Sequence, residues 1–291
     1  MSSQKNKNYL LIAFLAVIWG SSFILMKRGL IVYTPIQIGA LRIFVAFLFM
    51  LPVVIRYFRT IEKSKWKYLI ATGFLGNGIP SILFPLAQTK ISGSLAGMIN
   101  SLTPIFTLIV GLLFFGMKAG RNRILGLAIG LFGVILMITG QTGSIGLSEG
   151  NVYALYVVLA TVCYAFSVNI LRFKLSEIDS LKLSAFALFC VGIPMGILLF
   201  SGDFIQRTVS TPGSGIAVFY IIILGLLSTA ISTILFNRLI KSSGALAASS
   251  VTYLIPVVAV LWGLWDHEIL GIYHVIGLLS ILSGVYLVNK K

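Results

Sequence analysis

The sequence predicts an all-α integral membrane protein: ten transmembrane helices in two inverted five-helix repeats. Three observations predict it. Ten apolar runs of span length fill the chain, basic residues crowd alternate connections, and the two halves match each other at nearly constant offsets. Of the 291 residues 58% are hydrophobic and only 10% charged, whereas a soluble domain is about 25% charged. Charge so sparse implies lipid as the solvent.

The runs fall at 9–30, 34–57, 67–88, 92–116 and 122–140, then 151–172, 181–200, 217–239, 244–265 and 271–288. Backbone polar groups in hydrocarbon must pair within their own segment, so these runs are expected as helices. The period-two alternation of a membrane β-barrel is absent. The first run follows Lys5 and Lys7 as a secretory leader would, but no small-x-small cleavage site follows. It continues through Trp19 to Lys27 and Arg28, and is read as a retained span. Cys163 and Cys190 lie inside runs, without metal spacing, and read as small buried hydrophobes.

Charge sets the orientation. With the N-terminus inside, 17 of the 22 basic residues fall in cytoplasmic segments, densest at Arg56–Lys67. Only Lys27, Arg28, Lys90 and Arg207 face the other side, and Arg42 lies within a span. This bias places both termini in the cytoplasm and requires an even number of spans. The net charge of +15 is thus topological, and no basic helix or RNA-binding motif is present to bind nucleic acid.

The polar, Gly-rich stretch at 141–150 is read as a linker between a first repeat, 1–140, and a second, 151–291. An offset of 152 pairs Gly73 with Gly225, Pro104 with Pro256 and Gly111 with Gly263. An offset of 145 pairs Trp19 with Tyr164, Ser22 with Ser167 and Lys27 with Arg172. Five spans per repeat is odd, so the second copy enters the membrane upside down, a design that places a binding site at the repeat interface.

The segments Ala16–Phe23 (AVIWGSSF), Leu41–Phe44 (LRIF), Ser94–Phe106 and Ala247–Gly263, with Glu268 after them, together resemble the EamA-type members of the drug/metabolite transporter superfamily. The resemblance covers nearly the whole chain. It implies ten helices around a central cavity, a peripheral fifth and tenth helix, and export or exchange of amino acids, related metabolites or toxic compounds in a bacterial inner membrane. Repeats of the family commonly end the fourth span with Glu. Glu268 fits that pattern, but the first half has Met117 and Lys118 there.

Polar residues on membrane helices must face protein or water. Asn77, Ser81, Phe84 and Gln88 share one helical face, as do Gly97, Asn100, Ser101 and Pro104. Their counterparts are Thr229, Thr233 and Phe236, then Ser249, Thr252, Tyr253 and Pro256. With Trp19, Ser22, Tyr164 and Ser167 they form the expected substrate-binding set, an apolar lining with a few hydrogen-bonding groups. Helix packing by the same small polar residues is the alternative. Pro104 and Pro256, with Pro80 and Pro85, are candidate hinges or static kinks. Arg42 either greets an anionic group of the substrate or holds the fold, and the resemblance, which places an Arg there across differing substrates, favours the fold.

The seven acids all fall at loops or span ends. Asp266, His267, Glu268 and His274 are expected as solvated interfacial groups. Without ionisable relays inside the spans, and without a P-loop, diffusion or exchange down a gradient fits better than proton or ATP drive. The GxxxG spacings Gly126/Gly130 and Gly192/Gly196 are read as seats for neighbouring helices, leaving a monomer or weak homodimer. Two histidines seven residues apart form no hydrolase or metalloprotease set, so neither enzyme, metal nor cofactor is expected. The reading is a secondary transporter of small metabolites, with a lipid or xenobiotic carrier on the same scaffold as alternative.

Overall fold

The computed structural model describes residues 2–118, 120–142, 149–248, 251–268 and 270–289, with the backbone alone described at 2–9, 138–142, 149–151, 243–247 and 289. All regular structure among the described residues is helical. Among the described residues seven helices are long and apolar enough to cross a membrane: Leu10–Gly29, Pro35–Thr60, Lys63–Gln88, Gly93–Phe114, Val152–Lys174, Ser180–Phe200 and Ser214–Ser242. Val251–Trp265 and Ile272–Val288 are apolar but shorter.

In chain order, α1 (Ser2–Gly29) turns into α2 (Pro35–Tyr57). Thr34 caps α2 by a reciprocal pair with Gln37, and Pro35 stands where a missing N–H costs nothing. The third run is α3 (Trp66–Gly73) and α4 (Ile79–Gln88), joined without a break by a π-helical turn, Phe74–Gly78. The fourth is broken: α5 (Gly93–Asn100) stops at Ser101–Leu102 and α6 (Thr103–Phe114) restarts. Pro104 is the reason, because it offers no N–H to the Asn100 carbonyl. The Thr103 hydroxyl donates to that carbonyl instead, at 2.8 Å. After α7 (Arg121–Thr142) come α8 (Glu149–Lys174) and α9 (Ser180–Phe200), the latter capped by Asp179. The residues after α9, expected only as a connection, form a short helix, α10 (Phe204–Ser210). It ties down the α1–α2 turn through Gln37 to Asp203 and Arg207 to the Val32 carbonyl. Then α11 (Ser214–Ile223), a second π-helical stretch (Leu224–Ile231) and α12 (Ser232–Ala248) run on continuously. The ninth run was expected from 244, but α12 carries through Gly244 and α13 is Val251–Trp265. The chain closes with α14 (Ile272–Asn289).

Each half packs mainly on the other. α1 lies along α13, and α8 lies along α6; α2 pairs with α9, and α7 with α14. The α7–α14 pair sits at the edge. Its outer residues, such as Leu125, Phe132, Ile276 and Leu279, are exposed, while Gly126 and Gly284 bring the two backbones together so closely that an added Cβ would strike the facing carbonyl. Gly192 and Gly196 likewise receive the rings of Phe47 and Phe44.

Candidate functional site

The two π-helical stretches occupy matching places, since Gly73 directly precedes the first and its counterpart Gly225 is the second residue of the other. π turns loosen the regular i−4 ladder and are frequent at functional sites. Here the Ser228 carbonyl is free to accept the indole N–H of Trp19 at 3.0 Å, and the Thr229 hydroxyl donates to the Leu224 carbonyl at 3.2 Å. Both stretches border one cavity of about 150 Å³ in the middle of the helical assembly.

The first half lines this cavity with Trp19, Ser22, Arg42, Asn77, Phe84 and Asn100, among others; the second half supplies Tyr164, Ser167, Ser228, Thr233, Phe236 and Thr252. Aromatic contacts cross between the halves in a reciprocal pattern. Trp19 meets Phe236 edge-on at 5.0 Å, and its counterpart Tyr164 stacks on Phe84, the counterpart of Phe236, at 6.0 Å. Rings form much of the apolar wall, and hydroxyls and carboxamides punctuate it.

Nine of the twelve residues expected to bind substrate face the cavity: Trp19, Ser22, Asn77, Phe84, Asn100, Tyr164, Ser167, Thr233 and Thr252. Three lie off its wall. Ser101 is buried with its hydroxyl on the Thr252 carbonyl, at 3.2 Å, and Thr229 lies behind the wall, receiving Arg42 Nε at 2.6 Å. Tyr253 is half-buried and packs against the apolar core. Ser249 lies outside the described residues. Pro104 marks the α5–α6 break, whereas Pro256 sits inside continuous α13.

Sequence reasoning missed Thr72, Gly76, Thr103, Ser228 and Asn237 as wall residues. Asn237 follows Thr233 by one turn, so extending the same stripe would have found it. Thr72 had a fainter signal, being one turn before Gly76. Its buried hydroxyl has no partner among the described residues. Asn237 donates to the Ser184 hydroxyl at 2.9 Å, which fixes its carboxamide at the cavity rim.

Among the described residues, Arg42 is the one lining residue charged at neutral pH, and no Asp or Glu faces the cavity. It is 9% exposed, and α2 delivers it against the second half at a tight crossing, where Gly225 lies on the Arg42 backbone carbonyl.

The expected solvated acids at the far end of α1 are not solvated; this corrects the sequence reading. Lys27 bridges Asp266 at 2.5 Å and Glu268 at 3.1 Å, and Arg28 also pairs with Asp266. The Glu268 side chain is only 7% exposed. It accepts the backbone N–H groups of Gly93 and Ser94, both at 3.0 Å, and the Ser94 hydroxyl at 2.6 Å. A carboxylate at the first turn of α5 also meets the positive end of that helix. The turn after α13 makes this possible. His267 adopts a left-handed conformation (φ 59), and Glu268 N–H returns to the Gly263 carbonyl at 2.8 Å.

The sequence matches the EamA-like transporter family twice, over residues 6–139 and again over 151–290. It is 26% identical over 291 residues to an uncharacterized transporter of Archaeoglobus fulgidus, covering 98% of this chain and 99% of that one. It is 27% identical to the uncharacterized transporter YoaV of Bacillus subtilis, over 93% and 92% of the two chains. It is 24% identical to the uncharacterized inner membrane transporter YedA of Escherichia coli, over 86% and 79%. A solved crystal structure superposes with a TM-score of 0.64 at 16% identity, covering 95% of this chain and 94% of that one, which establishes likeness of fold.

Proposed function

Because the chain belongs to the EamA-like transporter family, and is therefore a membrane protein that handles a small molecule, we propose that it is a secondary transporter of small amphiphilic metabolites. Two inverted repeats of five helices rock about the central cavity and expose it to each side of the membrane in turn. Both termini lie in the cytoplasm, the side favoured by the basic connections.

One observation carries the reading: the reciprocal wall of Trp19 on Phe236 and Tyr164 on Phe84. Residues related by the internal repeat meet across the boundary between the halves, so a tilt of one half against the other opens or closes the space they share. That is the geometry alternating access requires. The double family match and the crossed pairing of α1 with α13 and α6 with α8 support the same repeat organisation. The mixed lining of rings, hydroxyls and carboxamides suits a solute with an apolar body and a polar head.

Counterflow in proteoliposomes tests it. Vesicles preloaded with one unlabelled solute class at a time take up trace external label only if a carrier exchanges it. Saturable, transient accumulation of a water-soluble class supports the proposal. Its absence across amino acids, nucleosides and organic acids, with scrambling of labelled lipid in the same vesicles, favours a lipid carrier on this scaffold.

A further inference from the structure

We propose that the solute is an amphiphilic organic monoanion, a single carboxylate on an apolar body, and that Arg42 receives the carboxylate. This rests on the transporter function proposed above and narrows it.

The charge of Arg42 needs an answer. An Arg side chain cannot shed its proton, and an unpaired charge taken from water costs several kcal/mol. The guanidinium is nine-tenths buried, and its one hydrogen bond among the described residues runs from Nε to the Thr229 hydroxyl at 2.6 Å. That hydroxyl donates its own hydrogen bond to the Leu224 carbonyl, so the chain Arg42–Thr229–Leu224 orients the guanidinium without neutralising it. No described carboxylate lies within ion-pair reach. Asp203 is held by Arg207 and Gln37, Asp266 and Glu268 by Lys27, and Glu177 by Lys65. Arg42 thus lines a cavity that offers its guanidinium no protein acid among the described residues, and the two parallel N–H donors of such a fork match a carboxylate.

The rest of the wall narrows the class. Trp19, Phe23, Phe84 and Phe236 offer rings to an apolar body. An ammonium group would find no carboxylate in the described lining and would be repelled by Arg42. Charge complementarity thus selects a net anion over a zwitterion of the same size, and more strongly over a cation.

The test uses the full chain in proteoliposomes and four probes with one phenyl body: 3-phenylpropionate, its neutral amide, phenylalanine and phenethylamine. Each competes against tritiated 3-phenylpropionate in equilibrium binding. The carboxylate is expected to reach half-competition at a concentration at least about tenfold below the amide, a gap of about 1.4 kcal/mol. Arg42→Gln should abolish the gap, and Arg42→Lys should keep part of it, since a point charge lacks the fork. Should Arg42→Gln not fold, the wild-type competition series still decides, together with Thr229→Val, which keeps the charge and should keep the preference. An amide that competes as well as the acid, a gap that survives Arg42→Gln, or no binding of 3-phenylpropionate up to about 10 mM overturns the inference. Counterflow with the same probes separates the two proposals. Charge-selective binding without exchange leaves the anion site standing and removes the transporter; exchange of all probes alike does the reverse.

Discussion

The hydroxyl of Ser101 donates to the carbonyl of Thr252, 151 residues away, at 3.2 Å. Thr252 stands four residues before Pro256, whose ring nitrogen cannot donate the helical bond to the Thr252 carbonyl, and a side chain of the first half donates to that carbonyl. The proline gap in α13 is thereby turned into a contact between the halves.

Replacement of Ser101 by Ala should loosen that contact without touching the cavity wall. Hydrogen bonds between membrane helices are worth about 0.6 to 1.7 kcal/mol. A thermal or denaturant titration in detergent should show a loss in that range, with the half-saturating solute concentration unchanged. A loss of solute affinity at full stability would put Ser101 in the binding site after all.

Gly73 and Gly225 should tolerate no side chain. A Cβ on Gly225 would stand 2.8 Å from the Arg42 carbonyl, and one on Gly73 would strike the Ala187 carbonyl; both are backbone atoms that cannot step aside. Overpacking of this kind costs about 1–3 kcal/mol, so Gly73→Ala and Gly225→Ala should each melt earlier than the parent. Gly215 has open space around it and serves as the control, expected to shift stability by less than about 1 kcal/mol. Equal melting of all three variants would show that the two crossings have room to spare.

These cases show what the sequence makes legible. Apolar length and the internal match of Gly73 with Gly225 are local patterns, readable because span length and close helix approach leave direct marks on composition. The stripe from Asn77 to Phe84 is readable because helical spacing puts those residues on one face. Which polar residue ends on the cavity wall and which one column behind it depends on a rotation of the helix by less than a turn. The π stretches at Phe74–Gly78 and Leu224–Ile231 supply such a rotation without any residue type that announces it. Thr229 and Thr233 fell on different sides of that line. The ion pairs of Lys27 were unreadable for another reason: partners about 240 residues apart meet only once the halves are folded together.

The Glu268 cluster makes stability depend on acid pH. Hydrogen bonding by Lys27 holds the Asp266 carboxyl below the ordinary range. Burial pushes Glu268 up, but the Ser94 hydroxyl and N–H, Lys27 and the Gly93 N–H outweigh it and leave it lowered. A carboxyl that is more acidic folded than unfolded contributes fully above its unfolded value, about 4.3 for Glu, and the contribution fades as pH falls through the folded value. Melting temperature should thus drop more steeply below about pH 4 in the parent than in Glu268→Gln. At neutral pH that variant should already have lost about 2 kcal/mol, the scale of a hydrogen bond to a charged group. Parallel pH curves for the two proteins would remove the cluster's stabilising role.

Asn100 and Tyr253 should behave differently, although the sequence places both at the site. Asn100 faces the cavity beside the α5–α6 break, and Tyr253 packs into the core off the wall. Asn100→Leu should slow counterflow by about tenfold, the effect of losing about 1.4 kcal/mol of solute contact, at an unchanged melting temperature. Tyr253→Ala should instead lower stability, with exchange per folded molecule preserved. The opposite assignment of the two effects would move the solute away from α5.

The two ends of the molecule are latched unequally. At one end α13 stops at a left-handed His267 (φ 59), and Glu268 beyond it holds Lys27. At the other, α6 stops at a left-handed Gly116 (φ 65), and beyond it Met117 meets only weakly, through sulfur at 3.9 Å, the Arg172 that corresponds to Lys27. One end is held by charge and the other has the cation without the acid, so opening at the Met117 end breaks no ion pair between these two positions. Met117→Glu supplies the missing partner. In a background lacking Cys163 and Cys190, spin labels at Lys118 and Lys174, both exposed beside this gap, should show a larger population at short distance than with Met117→Gln, and counterflow should slow. The shift should shrink at high salt, which screens an exposed pair. An unchanged distance distribution in Met117→Glu would count against separation of the ends of α6 and α8 in the proposed cycle, and would leave the Lys27–Glu268 pair as a structural clasp.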